Sequence, residues 1–361
     1  IFAYINNGAE DEVSMRWNRE AFEGYELLPK MLVDVSERHQ SIELFGTKYA
    51  SPFGISPVGF GALYHFDGDV KLALAASSKK IPYVLSGASL TRLERVAEYA
   101  PDMWIQAYLP GDEVEIRRLL ERVSYAGTKN LIITVDIPLS VNPDRYARFG
   151  FSSPLRPSVD LFWQGITHPK WSIGTFGRSL LAHGMPHLEN WRADRCNPVL
   201  SASVQKNNLN RDNFTWDHIK FARKHWAGNL IIKGILSAED AMTAQNIGAD
   251  GIIVSNHGGR QADGVVAPLK VLDEIVNSVP KTTVMMDGGV RRGTDVLKAI
   301  GLGAKCVFAG RPFNFALAAG GEEGVIKAIS LLQEEIDRNM AHLGITHPSQ
   351  MLDGRLRNRR L

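Results

Sequence analysis

The chain has 361 residues, of which 44% are hydrophobic and 22% charged, with a formal net charge of +2 at pH 7. That composition supports a large core and excludes global disorder, and the near-neutral charge gives no case for nucleic acid as a partner. Two cysteines, Cys196 and Cys306, are too few for a disulfide scaffold or a cysteine-based metal site, so a reducing compartment is the default and no metal is expected.

In chain order, the sequence opens at Ile1 in what reads as mid-helix, so a preceding segment that could carry targeting is expected. No signal peptide and no apolar run of roughly 18 residues is present, so neither secretion nor a spanning helix is expected. Strands are predicted at Phe53–Ser56, Tyr83–Ser86, Trp104–Tyr108, Leu131–Asp136, Leu230–Gly234, Gly251–Ser255, Thr283–Asp287 and Lys305–Ala309. Helix-like segments follow several of them, at Val70–Lys80, Asp112–Ala126, Ala238–Ile247 and Asp295–Ile300. Such alternation fits a closed parallel (β/α)8 TIM barrel better than an open sheet. The expectation is one domain over residues 1–361, in the α/β class.

Nearly every predicted strand ends in a polar or small residue: Ser56, Ser86, Gln106 with Tyr108, Asp136, Lys233, His257, Asp287, and Gly310 with Arg311. In such barrels the carboxyl ends of the strands build the active site. The tract from Ser255 to Gln261 is the sharpest of these. His257 is the side chain suited to moving a proton near neutral pH. Arg260, three residues on, is shaped to hold a carboxylate through two parallel hydrogen bonds. Asp287-Gly288-Gly289-Val290-Arg291-Arg292-Gly293 and Ala309-Gly310-Arg311-Pro312 follow the seventh and eighth strands, where barrels often hold phosphate. A phosphorylated cofactor is expected there.

The connection after the fourth strand, residues 137–213, is out of proportion. It mixes Phe149, Phe151, Phe162, Trp163, Ile166, Trp171, Ile173, Phe176 and Leu181 with Arg148, Arg156, Lys170 and Arg178. A loop of this kind is a lid, an interface or a cover for the barrel, and aromatic residues beside basic ones also suit a membrane surface.

These residues resemble the FMN-dependent L-2-hydroxy acid oxidases and dehydrogenases. The likeness runs from Tyr4 and Gly8–Glu12 through Lys233-Gly234 and Ser255–Gln261 to Gly310-Arg311. Thr167–Ser172 resembles the membrane-associated lactate and mandelate dehydrogenases, which favours a dehydrogenase over a soluble oxidase that uses oxygen and releases hydrogen peroxide. The resemblance implies FMN, a small 2-hydroxy acid substrate, a quinone or similar acceptor, a homotetramer, and a place on the cytoplasmic side, at the membrane periphery. It implies His257 as the base and Asp136 as the group that orients it, with Arg260, Arg145, Tyr4 and Tyr108 on the substrate. Lys233 would lie near the flavin. Ser56, Pro57, Ser86, Gln106, Thr134 and Ser255 would bind the cofactor, Asp287 its ribityl chain, and Gly289, Arg291, Gly310 and Arg311 its phosphate. Three departures from the family pattern stand out. Asn7-Gly8 replaces a glycine pair. Extra residues precede Arg145, so Arg148 is an alternative clamp. Gly87 and Ala88 are small where some relatives are bulky, which leaves room for an aryl group. Two other classes compete with this reading: a different phosphate-binding barrel such as a nucleotide dehydrogenase, which needs an active-site cysteine, and a non-catalytic flavoprotein module.

Overall fold

The computed structural model describes residues 1–139, 158–198 and 211–359. Eight strands form one parallel sheet: β1 (Phe53–Ile55), β2 (Val84–Ser86), β3 (Trp104–Ala107), β4 (Asn130–Thr134), β5 (Asn229–Ile235), β6 (Gly251–Val254), β7 (Thr283–Asp287) and β8 (Val307–Ala309). Neighbours pair in chain order from β2 to β8, β8 pairs back on β1, and an Ile55–Tyr83 bridge closes the ring. This is the predicted (β/α)8 barrel. Strand ends differ from the predicted ones by up to two residues. Lys305, for example, lies before β8, although its N–H bonds the carbonyl of Val284 at 2.9 Å.

The strands read as continuous apolar runs because both their faces are buried. Side chains on one face of the strands fill the barrel: Val84, Trp104, Ile132, Ile231, Ile253, Met285 and Phe308, joined by Cys306 just before β8. Their neighbours in sequence, such as Leu85, Ile105, Leu131, Ile133, Ile232, Ile252 and Val254, belong to the larger cluster shared with the helices. A hairpin of Ile42–Leu44 and Thr47–Tyr49 contributes Leu44 and Tyr49 to the interior cluster, and Trp104 Nε1 donates to the Tyr49 hydroxyl at 3.0 Å. The helices show the usual apolar stripe. In Glu113–Tyr125, Ile116, Leu119, Leu120 and Val123 are buried, and Asp112 caps the start by accepting the N–H of Glu115 at 2.9 Å.

Registry sets which side chains meet at the carboxyl face. Ser86 pairs with Gln106, and Thr134 with Lys233. The β5–β6 register shifts between Lys233 and Ile235, and Gly234 has φ 109°. A Cβ on Gly234 would stand 2.7 Å from Cβ of Asp136. Glycine here lets the chain after β4 approach β5 closely.

Between β4 and β5, the described part of the insertion contains a helix at Val159–Thr167 and a turn at Pro169–Trp171. A π-helical stretch at Ser172–Gly177 runs into a helix at Arg178–His183. Trp171 Nε1 donates to the carbonyl of Leu63 at 2.7 Å, and the Arg178 guanidinium stacks 4.0 Å over the Phe66 ring. These contacts fix the insertion to the segment after β1.

Candidate active site

The loop after β6 is built around its own backbone. His257, Gly258 and Gly259 lie consecutively in the left-handed region, with φ of 57°, 66° and 72°. A histidine in that region is strained relative to extended or helical backbone, a feature common at functional sites. Ser255 Oγ accepts the N–H of His257 at 3.0 Å, and the Gly259 N–H bonds the Asn256 carbonyl at 3.0 Å. His257 Nδ1 lies 3.1 and 3.3 Å from the two carboxylate oxygens of Asp136. Burial works against the charge on Asp136, but the facing His257 and the nearby Lys233 outweigh it and hold the carboxyl below its usual range.

A row of polar groups crosses the same face. Buried Lys233 Nζ donates to Ser255 Oγ at 2.8 Å and sits 3.2 Å from Asp287, whose same oxygen accepts the Ser56 hydroxyl at 2.9 Å. Ser86 Oγ and the Gly87 N–H point at Gln106 Oε1, at 3.3 and 3.1 Å. That fixes the Gln106 amide and leaves its Nε2 as the free end. Gln106 Nε2, Thr134 Oγ1 and Asp287 Oδ1 are buried with no hydrogen-bond partner among the described residues. Buried polar atoms are rarely left so. A donor, a hydroxyl and an acceptor at the ends of β3, β4 and β7 suit a polar heteroaromatic ligand across the mouth.

The expected anion-binding residues are engaged on main chain. Arg260 Nη1 donates to the carbonyls of Tyr4 and Asn7 at 2.6 and 3.1 Å, with its guanidinium 4.7 Å over the Tyr4 ring. Arg311 bonds the carbonyls of Ile5 and Gly258 at 3.1 and 3.0 Å. The Ala9 N–H meets the Gly259 carbonyl at 2.8 Å, and the buried amides of Asn18 and Asn256 pair reciprocally at 2.8 Å. Residues 4–18 are thus latched to the histidine loop. Gly8, the glycine kept where Asn7-Gly8 replaces the family's glycine pair, sits where a Cβ would come 2.9 Å from the Gly259 carbonyl.

After β7, Asp295 accepts the N–H groups of Arg291 and Arg292 at 2.9 and 3.0 Å, and a Cβ on Gly289 would run into the Asn18 carbonyl. Exposed Arg291 donates to the Val290 carbonyl at 2.9 Å. Gly310 starts the helix Arg311–Leu343 with no side-chain cap. Pro57 is half-buried beside Ser56. Arg145 and Arg148 lie outside the described residues. Tyr108 is buried, with its ring 4.5 Å from that of Trp191, and burial first, then the charges of Tyr4 and Asp136, push its hydroxyl pKa up.

Two residues that sequence reasoning passed over belong to this region. Arg211 is buried and donates to the carbonyls of Leu109, Ile137 and Thr134 at 2.9, 3.1 and 2.8 Å. Burial lowers its pKa to about 10, against the pull of Tyr108 and Asp136. Nothing in the local sequence marks it. Trp191 was legible only as one more aromatic in a long insertion. Neither cysteine is on the strand-end loops of the mouth: Cys306 is inside the barrel, where burial pushes its thiol pKa up, and Cys196 is in the insertion, its thiol pKa also raised by burial. Among the described residues no group of His, Cys, Asp or Glu could hold a metal ion.

Comparison with known proteins agrees with this geometry. The model of the FMN-dependent dehydrogenase family matches residues 1–358. The (S)-mandelate dehydrogenase of Pseudomonas putida is 36% identical over 346 residues, covering 95% of this chain and 86% of that protein. An L-lactate dehydrogenase of Ectopseudomonas mendocina (strain ymp) is 38% identical over 343 residues, covering 93% and 88%. A crystal structure of the monotopic membrane protein (S)-mandelate dehydrogenase superposes with a TM-score of 0.88 at 34% identity, covering 99% of this chain and 94% of that one. A mandelate oxidase structure gives a TM-score of 0.81 at 32% identity, with 99% and 93% coverage. With a closed barrel, a His257–Asp136 pair at its mouth and a family match over almost its whole length, this chain belongs to the FMN-dependent dehydrogenases and is an oxidoreductase with FMN as its cofactor.

Proposed function

We propose that the chain, working as a single barrel domain, oxidises a mandelate- or lactate-like L-2-hydroxy acid to the 2-oxo acid and passes electrons to a quinone or similar membrane acceptor. The His257–Asp136 pair, with Arg260 three residues further on, carries the reading. The orphaned Gln106 Nε2, Thr134 Oγ1 and Asp287 Oδ1 fit the hydrogen-bonding edges and ribityl hydroxyls of FMN. Ser56, Pro57, Ser86, Gln106, Thr134, Lys233 and Ser255 would hold it at the strand ends, with Asp287 on the ribityl chain. Gly289, Arg291, Gly310 and Arg311 would hold its phosphate. Bound FMN supplies acceptance of two electrons from the substrate carbon.

The rest is the work of this chain. Asp136 binds His257 Nδ1, which leaves Nε2 as the basic nitrogen and stabilises the imidazolium once it forms. His257 takes the proton from the substrate hydroxyl, or from the α-carbon if a carbanion route holds. Arg260, Tyr4, Tyr108 and either Arg145 or Arg148 would hold the carboxylate. Lys233, buried at the mouth, places a fixed positive charge where negative charge gathers.

Membrane docking is part of the same reading. On the helix Val159–Thr167, Val159, Phe162, Trp163 and Ile166 are all exposed, at 72%, 66%, 58% and 53%, and their spacing puts them on one face. Exposed Lys170 follows. No helix among the described residues is long and apolar enough to cross a membrane, so this helix would lie in the interface. A relative described as a monotopic membrane protein supports that placement. A tetramer at the cytoplasmic face completes the proposal. The test is anaerobic mixing of the FMN-loaded protein with L-lactate and (S)-mandelate, followed by a quinone analogue or oxygen. Bleaching with either acid and faster reoxidation by the quinone are expected. No bleaching, or oxygen as the better oxidant, overturns the respective half.

A further inference from the structure

The insertion does more than present an apolar face. Its residues 188–192 are clamped against the barrel mouth. Asn190, 2% exposed, accepts the N–H of Leu93 at 2.9 Å and donates to the Thr91 carbonyl at 2.8 Å. The Glu189 N–H bonds the Ser89 carbonyl at 3.0 Å. Arg122, reaching up from the helix Glu113–Tyr125, donates to the carbonyls of Glu189 and Arg192 at 2.8 and 3.1 Å. Both flanks of Trp191 are therefore fixed to the loop after β2 and the helix after β3. The indole has little choice of position: its ring lies 4.5 Å from that of Tyr108 at an interplanar angle of 29°.

Tyr108 is the residue that ties this stack to the reaction. It directly follows β3, a Cβ on Gly87 would stand 3.3 Å from its ring, and the Arg211 guanidinium that bonds the Thr134 carbonyl lies 5.7 Å over it, so the stack with Trp191 borders the carboxyl face of the barrel. Near Tyr4 the side chains are small. Ala88 follows Gly87 and packs closely on Gly59, where a Cβ would come 2.9 Å from Cβ of Ala88 and 3.5 Å from the Tyr4 hydroxyl. A half-buried indole against Tyr108 and a small Ala88, packed on Gly59 beside the Tyr4 hydroxyl, thus both lie at the mouth.

We propose that Trp191 is the specificity-determining wall for the substrate's R group, delivered to the barrel by the membrane-docking insertion. This rests on the 2-hydroxy acid reading above. A flat, rigid π-face rewards an aryl R group by stacking, whereas a methyl group gains only contact area. Substrate choice and membrane docking are then properties of one segment. Exchanging the insertion would change which acids are oxidised, even where every strand-end residue is kept.

The experiment uses the FMN-loaded full chain and its Trp191→Leu and Trp191→Phe variants. Anaerobic flavin reduction is measured with (S)-mandelate and L-lactate. In parallel, binding of benzoylformate and pyruvate, the corresponding 2-oxo acids, is read from the shift in thermal midpoint. Trp191→Leu is expected to lower the mandelate-to-lactate ratio of kcat/KM about tenfold, with a matching loss of benzoylformate binding. Trp191→Phe, which keeps a smaller ring, is expected to lower the ratio about two- to threefold. An unchanged ratio in the leucine variant, whether both rates fall or neither does, overturns the proposal. If that variant fails to load FMN, the phenylalanine variant decides by the same ratio. A wild type that reduces its flavin with neither acid overturns the hydroxy acid reading and this proposal with it. An active wild type with an unchanged ratio removes only the role of Trp191.

Discussion

The mouth of the barrel and the insertion after β4 hold their functional residues by different means. At the mouth, each polar group rides on the end of a strand locked into a closed ring, so register alone sets Ser86 beside Gln106 and Thr134 beside Lys233. The insertion has no such frame. It is pinned by single contacts: Trp171 on the Leu63 carbonyl, Asn190 on the loop after β2, Arg122 on its main chain. A ring of parallel strands places many residues to a fraction of an ångström, and a pinned loop places a few where anchors happen to fall. In the proposed function, chemistry sits on the first and adaptation to substrate and surroundings on the second.

The largest expected break in this comparison is at the mouth. His257→Ala should retain FMN, since the bond from His257 to Ser255 Oγ is made by its main-chain N–H and survives the change, yet lose turnover by at least about 10²–10⁴-fold. Stopped-flow reduction of the flavin-loaded variant checks this, and near-normal bleaching refutes the assignment. The insertion should show the opposite pattern. Replacing Phe162, Trp163 and Ile166 by serine removes three exposed apolar side chains, each worth about 1.5–3 kcal/mol when fully buried. Co-sedimentation with anionic liposomes should fall by two orders of magnitude or more while flavin reduction stays intact. In the unaltered protein, salt alone should release the bound fraction only in part. Sedimentation of the triple variant at the wild-type level would place the membrane contact elsewhere.

Arg260→Lys is a smaller perturbation. An ammonium cannot reproduce a planar fork or reach the carbonyls of Tyr4 and Asn7 together. Weaker substrate binding and about a tenfold lower kcat/KM are expected. Unchanged kinetics would show that Arg260 is a structural latch for the N-terminal segment alone.

The smallest effect on turnover is expected at Asp69, beneath the loop that anchors Asn190. Burial raises its pKa to about 6, against hydrogen bonds from Ser89 and Thr91. A folded-state pKa above the unfolded value of 3.8 means the folded protein binds the proton more tightly. Its contribution to stability is fully present at low pH and is lost as pH rises from about 4 to about 6. Asp69→Asn should abolish that decline, gaining up to about 3 kcal/mol on the wild type at pH 7. Thermal midpoints of the two proteins should diverge across that window, and parallel curves would refute the account. Asp136 has the opposite sign: its lowered pKa contributes stability that is present near neutrality and lost in acid.

Much of the mouth was legible from sequence because barrel strands are short apolar runs and their last residues face the site by construction. His257, Asp136, Lys233, Ser255, Ser56, Asp287, Ser86 and Gln106 are all legible that way; the structure links the first six into one network and pairs Ser86 with Gln106 beside it. Arg260 and Arg311 were legible as anion-seeking side chains, but their carbonyl partners at Tyr4, Ile5 and Asn7 lie more than 250 residues away in sequence. The insertion was legible only as a composition. Phe162, Trp163, Ile166, Ile173 and Leu181 turn out to face solvent, whereas Trp171 and Phe176 stack on each other, half-buried, at its root.

The sequence by itself determined the eight strand–helix units, the histidine and arginine after the sixth strand, and the Gly/Arg loops after the last two. Periodicity and local residue chemistry are short-range properties, and these features depend on little else. Only the tertiary structure decided that Asp136 meets Nδ1 of His257, that Gln106 is turned by Gly87, that Arg211 is spent on three carbonyls, and that Trp191 closes over Tyr108. Each of these joins residues distant in sequence or chooses one rotamer among several. Closure of the ring and the desolvation it imposes make that choice.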